Sequence, residues 1–231
     1  TNILQVLELS GIPLLSADRG EDMPLVIGGG PCVYNPEPIA DFFDLFYIGE
    51  GETQYRPLFD WYLENKKNGG TREEFLHGAA KIPGIYVPQF YEELYNADGT
   101  IAGRRKKYED IPDVIVKEIA ADVTEAYYPL KPVVPFIKVT QDRVVLEIQR
   151  GCIRGCRFCQ AGQIYRPVRE RDVDRLKSYA VEMLKNTGHE EVSLSSLSSS
   201  DYTKLNELLD FLIEECGQKH VNISLPSLRI D

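Results

Sequence analysis

The chain has 231 residues, 43% apolar and 27% charged, with 26 Lys and Arg against 36 Asp and Glu for a net charge of -10. That is enough apolar material for one or two buried cores, and no apolar run approaches the roughly 20 residues that span a bilayer, so a membrane helix is excluded; the opening residues do not read as a secretory leader either. Five cysteines are too few for a disulfide scaffold, and three of them fall within eight positions, which reads as metal binding in a reducing compartment, the cytoplasm by default.

In chain order, Ile3, Leu4, Val6 and Leu7 set a helical pattern over residues 1 to 10. Pro24-Leu25-Val26-Ile27 reads as a short buried strand entering Gly28-Gly29-Gly30-Pro31, and Ile39 to Phe43 as a short helix. Leu45 to Ile48 is a second strand, entering Gly49-Glu50-Gly51-Glu52. This alternation belongs to a parallel α/β sheet. Thr53 to Lys67 and Arg72 to Ala80 read as helices. Over residues 84 to 108, Ile85-Tyr86-Val87 and Glu93-Leu94-Tyr95, followed by Asp98-Gly99 before Ile101, predict a hairpin. Arg104 to Lys107 reads as a solvated edge strand. Residues 109 to 137, with four prolines, predict an irregular connector.

A second alternation follows: strand Val144 to Ile148, helix Asp172 to Lys185, strand Glu191 to Leu197, helix Asp201 to Cys216 and strand Val221 to Leu225. Gly188 and Gly217 stand where helices end. Strands and helices at this spacing make a parallel sheet or the first part of a (β/α) barrel. Because the sequence opens inside a helical pattern and closes just after a strand, we expect a fragment of a longer protein.

Charge is uneven. Between Lys138 and Lys177 ten Lys and Arg face five Asp and Glu, so this window is +5 and the remainder about -15. An acidic chain argues against non-specific nucleic-acid binding, whereas a basic island around cysteines suits an anionic ligand or cluster, or is a solvated face. At its centre lies Glu147-Ile148-Gln149-Arg150-Gly151-Cys152-Ile153-Arg154-Gly155-Cys156-Arg157-Phe158-Cys159. Three thiolates at C-x3-C-x2-C can converge on one metal centre but supply no fourth local ligand; a zinc site would want one, and the nearest histidine, His189, is 30 residues on. A [4Fe-4S] cluster held by three cysteines keeps one iron open to a substrate or cofactor. Arg150, Arg154 and Arg157 would balance the charge of such a cluster, hold a cofactor carboxylate, or only aid solubility.

RGCIRGCRFCQAG resembles the cluster loop of radical S-adenosylmethionine (radical SAM) enzymes, in which C-x3-C-x2-C follows the first strand of a complete or partial barrel. The resemblance implies that Cys152, Cys156 and Cys159 bind a [4Fe-4S] cluster. The open iron then takes the amino and carboxylate groups of S-adenosylmethionine, and Phe158 lies against its adenine. One-electron reduction then cleaves the sulfonium to a 5'-deoxyadenosyl radical, with an electron donor such as flavodoxin or ferredoxin as partner. Where that family places Gly-Gly-Glu to hold the methionine amino group, this chain has Ser195-Ser196-Leu197-Ser198, so Ser196 and Ser198 are the expected contacts, or a polar strand end and helix cap.

PLVIGGGPCVYNPEPIADFFDLFYIGEGE in turn resembles the closing half of the cobalamin-binding domains fused to many such enzymes. It implies cobalamin as a further cofactor, with Gly28, Gly29 and Gly30 at its nucleotide tail; that family's Asp-x-His-x-x-Gly segment has no counterpart, since no histidine precedes His77. The order of domains and DRVVLEIQRGC are similar to a group often labelled Fe-S oxidoreductases. The expected architecture is α/β. Residues 1–55 form the end of a Rossmann-like, cobalamin-binding-type domain, 56–140 an α+β connector with a hairpin, and 141–231 the first part of a radical SAM partial barrel. The full-length form is expected to be an enzyme of unknown substrate, methyl or methylthio transfer included, and this stretch by itself inactive. The alternative is a cluster-binding electron-transfer or structural metal-binding module. Glu50 and Glu52 are a weaker carboxylate pair; Cys32 is expected as a small buried residue, and Trp61, His189, Cys216 and His220 as structural.

Overall fold

A computed structural model describes residues 2–229, which divide between Ala120 and Ala121 into two compact units. In the first, α1 (Asn2–Leu9) buries Leu7 and exposes Ile3, Val6 and Leu9. Strands β1 (Ile27–Gly28) and β2 (Leu45–Tyr47) pair in parallel, Gly28 opposite Phe46. β1 is shorter than the apolar run predicts. Asp44 explains this: its carboxylate takes the Val26 N–H at 2.6 Å while its own N–H bonds the Val26 carbonyl at 2.9 Å, so a side chain replaces the ladder. Ion pairs from Arg19 (3.1 Å) and Arg72 (2.8 Å) keep that buried carboxylate compensated.

Helices α2 (Gly51–Lys67) and α3 (Arg72–Ala79) follow. α3 starts on a capping box in which Thr71 Oγ1 accepts from the Glu74 N–H and the Glu74 carboxylate accepts from the Thr71 N–H. The predicted short helix at residues 39–43 is a tighter 3-10 turn, Glu37–Phe42.

One expected strand changes place. β3 (Ile85–Tyr86) does not belong to the hairpin but runs antiparallel to β2, Tyr47 opposite Ile85. Ile85 and Tyr86 are both buried, and only the sheet offers them a core; the hairpin arms, β4 (Tyr91–Tyr95) and β5 (Ile101–Lys106), are largely exposed. Gly99 at φ +82° makes their turn. The basic run on and just after β5 meets acidic partners, Arg104 with Glu93 at 2.6 Å, Arg105 with Glu92 and Lys107 with Glu73 at 2.8 Å. Leu45, Tyr47, Leu58, Phe75, Leu76 and Phe90 centre the core of this unit.

In the second unit β6 (Val144–Glu147), β7 (Gln149–Arg150), α4 (Ala161–Ile164), β8 (Arg169–Glu170), α5 (Val173–Thr187), β9 (Glu191–Ser195), α6 (Leu205–Gly217) and β10 (Asn222–Ser224) follow in order. The sheet runs β10-β9-β6, every pair parallel, with Leu146 opposite Leu194 and Val192 opposite Ile223. α5 and α6 are the crossovers, and their apolar faces, Leu176, Ala180, Leu208 and Leu212, close the core on Leu146 and Leu194. Asp172 caps α5 through the N–H groups of Asp174 and Arg175, and Gly188 ends it at φ +69°.

α6 begins at Leu205, four residues later than predicted, after a single 3-10 turn at Ser199–Asp201. Asp201 does not cap it, because its carboxylate is taken by Arg154. On the side of β6 away from β9, the Tyr128 hydroxyl donates to the Val145 carbonyl at 2.7 Å and accepts the Glu147 N–H at 3.0 Å. That one hydroxyl satisfies two edge groups that a further strand would otherwise seek. No helix among the described residues is long and apolar enough to cross a membrane.

Candidate metal centre

The cysteine motif occupies a loop closed at its base by two short strands. Gln149 on β7 lies opposite Glu170 on β8, and Arg150 opposite Arg169, so residues 151–168 leave the sheet and return at one point. Gly151 stands in that neck at φ +89°, where a Cβ would come within 2.7 Å of the Tyr165 carbonyl and 2.8 Å of the Pro167 carbonyl. Only glycine meets both demands.

Under the neck lies Arg171, almost wholly buried. Its N–H bonds the Ile148 carbonyl at 2.8 Å. Its guanidinium donates to the Glu147 carbonyl at 3.1 Å, to the Glu147 carboxylate at 3.2 Å and to the Val123 carbonyl, and lies 4.8 Å from the Tyr128 ring centroid. The Glu147 carboxylate also receives Arg150 in two parallel bonds of 2.9 Å. One carboxylate thus grips an arginine on each side of the loop.

Within the loop, Cys152 is buried and its Sγ accepts the Arg154 N–H at 3.4 Å. The Cys159 N–H bonds the Cys156 carbonyl at 3.0 Å, turning the chain between the second and third cysteines, both half-buried. Ile153, Gly155, Arg157, Phe158 and Gln160 are exposed. The cysteines are therefore among the less exposed positions of the loop, and soft thiolates are what an iron-sulfur cluster requires. Among the described residues no group of three His, Cys, Asp or Glu side chains is arranged to hold a metal ion, so the fit rests on donor chemistry, spacing and burial. Phe158, the residue expected against adenine, is 91% exposed.

Beyond β9, Ser196 Oγ lies 3.0 Å from Ser199 Oγ, which donates to the Pro226 carbonyl at 2.7 Å. Ser198 is buried, and its carbonyl accepts from Gln149 Nε2 at 2.8 Å; the Gln149 Oε1 is buried without a hydrogen-bond partner. Arg154 reaches Asp201 through two bonds of 2.9 and 2.5 Å, and this guanidinium holds the Asp201 carboxyl down at about 2.

In the first unit Gly28 is packed under Phe46, whose ring would be 2.3 Å from an added Cβ, whereas Gly29 and Gly30 are exposed after β1. Cys32, expected buried, is exposed, because its short 3-10 turn, Pro31–Tyr34, turns Val33 inward instead. The Glu50 carboxylate accepts the Ala120 N–H at 2.8 Å, and the Glu50 N–H bonds the Glu118 carbonyl at 2.9 Å, so this residue holds the chain's own backbone. Trp61 donates to the Phe75 carbonyl, Cys216 is buried in the second core and His189 pairs with Asp142 at 3.2 Å, which suits the structural roles expected of them.

The sequence does not announce Glu147, Arg171, Tyr128 or Asp201, whose partners lie 17 to 48 positions away. The only local signal is the spacing of Glu147 and Arg150.

Residues 1–88 match the family described as radical SAM proteins, N-terminal, and residues 146–231 the radical SAM superfamily. An uncharacterized protein of Methanocaldococcus jannaschii is 31% identical over 208 residues, 90% of this chain and 38% of the relative. A protein of the same organism named "putative methylthiotransferase" is 31% identical over 97 residues, 38% of this chain and 21% of that protein. The chain thus spans well under half the length of these curated relatives.

Proposed function

From the premise that the chain belongs to the radical SAM superfamily, whose cofactors are a [4Fe-4S] cluster and S-adenosylmethionine, we propose that this loop is the cluster site of a SAM-cleaving enzyme. Cys152, Cys156 and Cys159 would be the three thiolate ligands of the cluster. Held by these residues, a reduced cluster would supply the single electron for reductive cleavage of S-adenosylmethionine, with the external donor replacing that electron. The chain's own residues hold and orient. Arg154 keeps Asp201 ionised beside the loop, and the Cys152 sulfur already has a backbone N–H donor.

The carboxyl ends of β6 and β9 lie side by side, Glu147 opposite Ser195, with Ser196 and Ser198 following β9 and Gln149 bonded to the Ser198 carbonyl, at the end of the sheet where parallel α/β folds bind ligands. Ser196 and Ser198 are the proposed contacts of the methionine group, and Phe158, exposed beside Cys159, is free to cover adenine. The parallel β6-β9-β10 arrangement supports the beginning of a partial barrel, and the β1-β2 pair with its glycine turn supports a Rossmann-like, cobalamin-type ancestry for the first unit, in which exposed Gly29 and Gly30 remain for a corrinoid. The whole protein's reaction is proposed as methyl or methylthio transfer, the latter in line with the second relative's name. Its partner would be a flavodoxin-like or ferredoxin-like electron donor, and its place the cytoplasm, where thiols stay reduced.

The observation that supports this reading is the presence of three cysteines, each less exposed than its loop neighbours Ile153, Gly155, Arg157, Phe158 and Gln160, on one loop pinned between β7 and β8. Anaerobic reconstitution with iron and sulfide tests it. The reduced chain should give a [4Fe-4S] electron paramagnetic resonance signal that shifts on adding S-adenosylmethionine and is lost in Cys156→Ala. A signal indifferent to S-adenosylmethionine would favour the electron-transfer module, and a colourless, zinc-loaded chain the structural one.

A further inference from the structure

We infer that Glu147 is a positioning residue for the cysteine loop, a carboxylate clamp that holds the loop's neck closed before any cluster is present. The inference rests on the reading of Cys152, Cys156 and Cys159 as the cluster ligands, and deepens it.

A loop of 18 residues, 151–168, held by a two-residue ladder would open readily, since each arm offers few backbone bonds and few of the loop's residues are fully buried. The Arg154–Asp201 pair ties the middle of the loop to the turn after β9, and at the neck Gly151 and Glu147 resist opening. Gly151 packs against the returning backbone at Tyr165 and Pro167, which closes the neck sterically. Glu147 closes it electrostatically: its carboxylate holds Arg150, two residues before the first cysteine, and Arg171, three residues after the loop ends. Arg150 is bound in the bidentate geometry that fixes direction as well as distance. Arg171 is a fully buried cation, so the carboxylate is also the charge that makes its burial tolerable.

The arrangement divides the labour. Ion pairs set where the loop leaves and rejoins the sheet, while the thiols, not grouped for a metal among the described residues, remain to be drawn together by the metal. A loop whose ends are fixed loses less entropy when it closes on a metal than one whose ends wander. Outer residues that orient metal ligands typically matter by about tenfold or more in affinity.

Three variants test this: Glu147→Gln, which keeps the shape and removes the charge; Glu147→Asp, which keeps the charge on a shorter arm; and Arg150→Gln, which cuts the clamp without stranding buried Arg171. In the metal-free chain, trypsin cleavage within the loop, at Arg154 or Arg157, is followed with circular dichroism as the check on folding. After anaerobic loading with ferrous iron and sulfide, iron and sulfide per folded chain are measured. Glu147→Gln and Arg150→Gln should be cut faster in the loop and bind cluster about tenfold more weakly, with Glu147→Asp recovering part of both. Wild-type cleavage and loading in Arg150→Gln would overturn the clamp. A wild-type chain that takes up no cluster, while loop cleavage still depends on Glu147, would sink the cluster reading and leave the clamp standing.

Discussion

Arg154 and Asp201 form a two-bond ion pair between the cysteine loop and the turn after β9, and the guanidinium holds the Asp201 carboxyl at about 2. A free aspartate titrates near 3.9, about two units higher. Because the folded value is the lower one, the pair contributes its full stabilisation above about pH 4 and loses it as pH falls toward 2. Carboxyl-resolved nuclear magnetic resonance should find Asp201 titrating about two units below the free value in wild type and rising toward it in Arg154→Gln. Spacing alone suggests Asp201 as a helix start, and in isolation it would serve as one; an arginine 47 positions away competes for the same oxygens and wins with a charge-assisted bond.

At the level of elements, the neck of the cysteine loop is where conformation and packing meet. Gly151→Ala forces a side chain into the left-handed region and against two carbonyls at 2.7 and 2.8 Å, so it should destabilise the second unit by about 1 to 3 kcal/mol. Urea unfolding, read on that unit, measures the loss; a change below a few tenths would show that the neck relaxes freely. Several elements are legible without a structure. α5 has its cap at Asp172 and its stop at Gly188, both local choices, and the apolar periodicity between them is strong. β3 is not legible, because Ile85 and Tyr86 have strand character that does not say which strand they join. β1 falls short of its apolar run for a similar reason: Asp44, 18 positions on, takes the Val26 N–H that would extend it.

At the scale of the whole molecule, two sets of buried side chains share no residue, one around Leu45 and Phe75, the other around Leu146 and Leu194. Leu146 is fully buried between α5, α6 and the parallel sheet. Leu146→Ala should therefore cost the second unit about 2 to 5 kcal/mol. Hydrogen exchange should show protection falling there and unchanged around Leu45; an equal fall in both would mean that the units unfold as one.

What the order of residues determines by itself is whatever depends on near neighbours: the C-x3-C-x2-C spacing that puts three soft donors on one loop, the alternation of short apolar strands with amphipathic helices, and the caps that bound α3 and α5. What only the tertiary structure decided is how distant charges are spent. Arg171 reads as one more cation in a basic window, yet it is buried on Glu147 and Tyr128 beneath the loop. Glu50 reads as half of a carboxylate pair, yet it binds the Ala120 backbone. The physical reason is common to both. A buried charge must find an opposite charge or a backbone dipole, and which one is within reach depends on the packing of segments that the chain's local pattern leaves unordered.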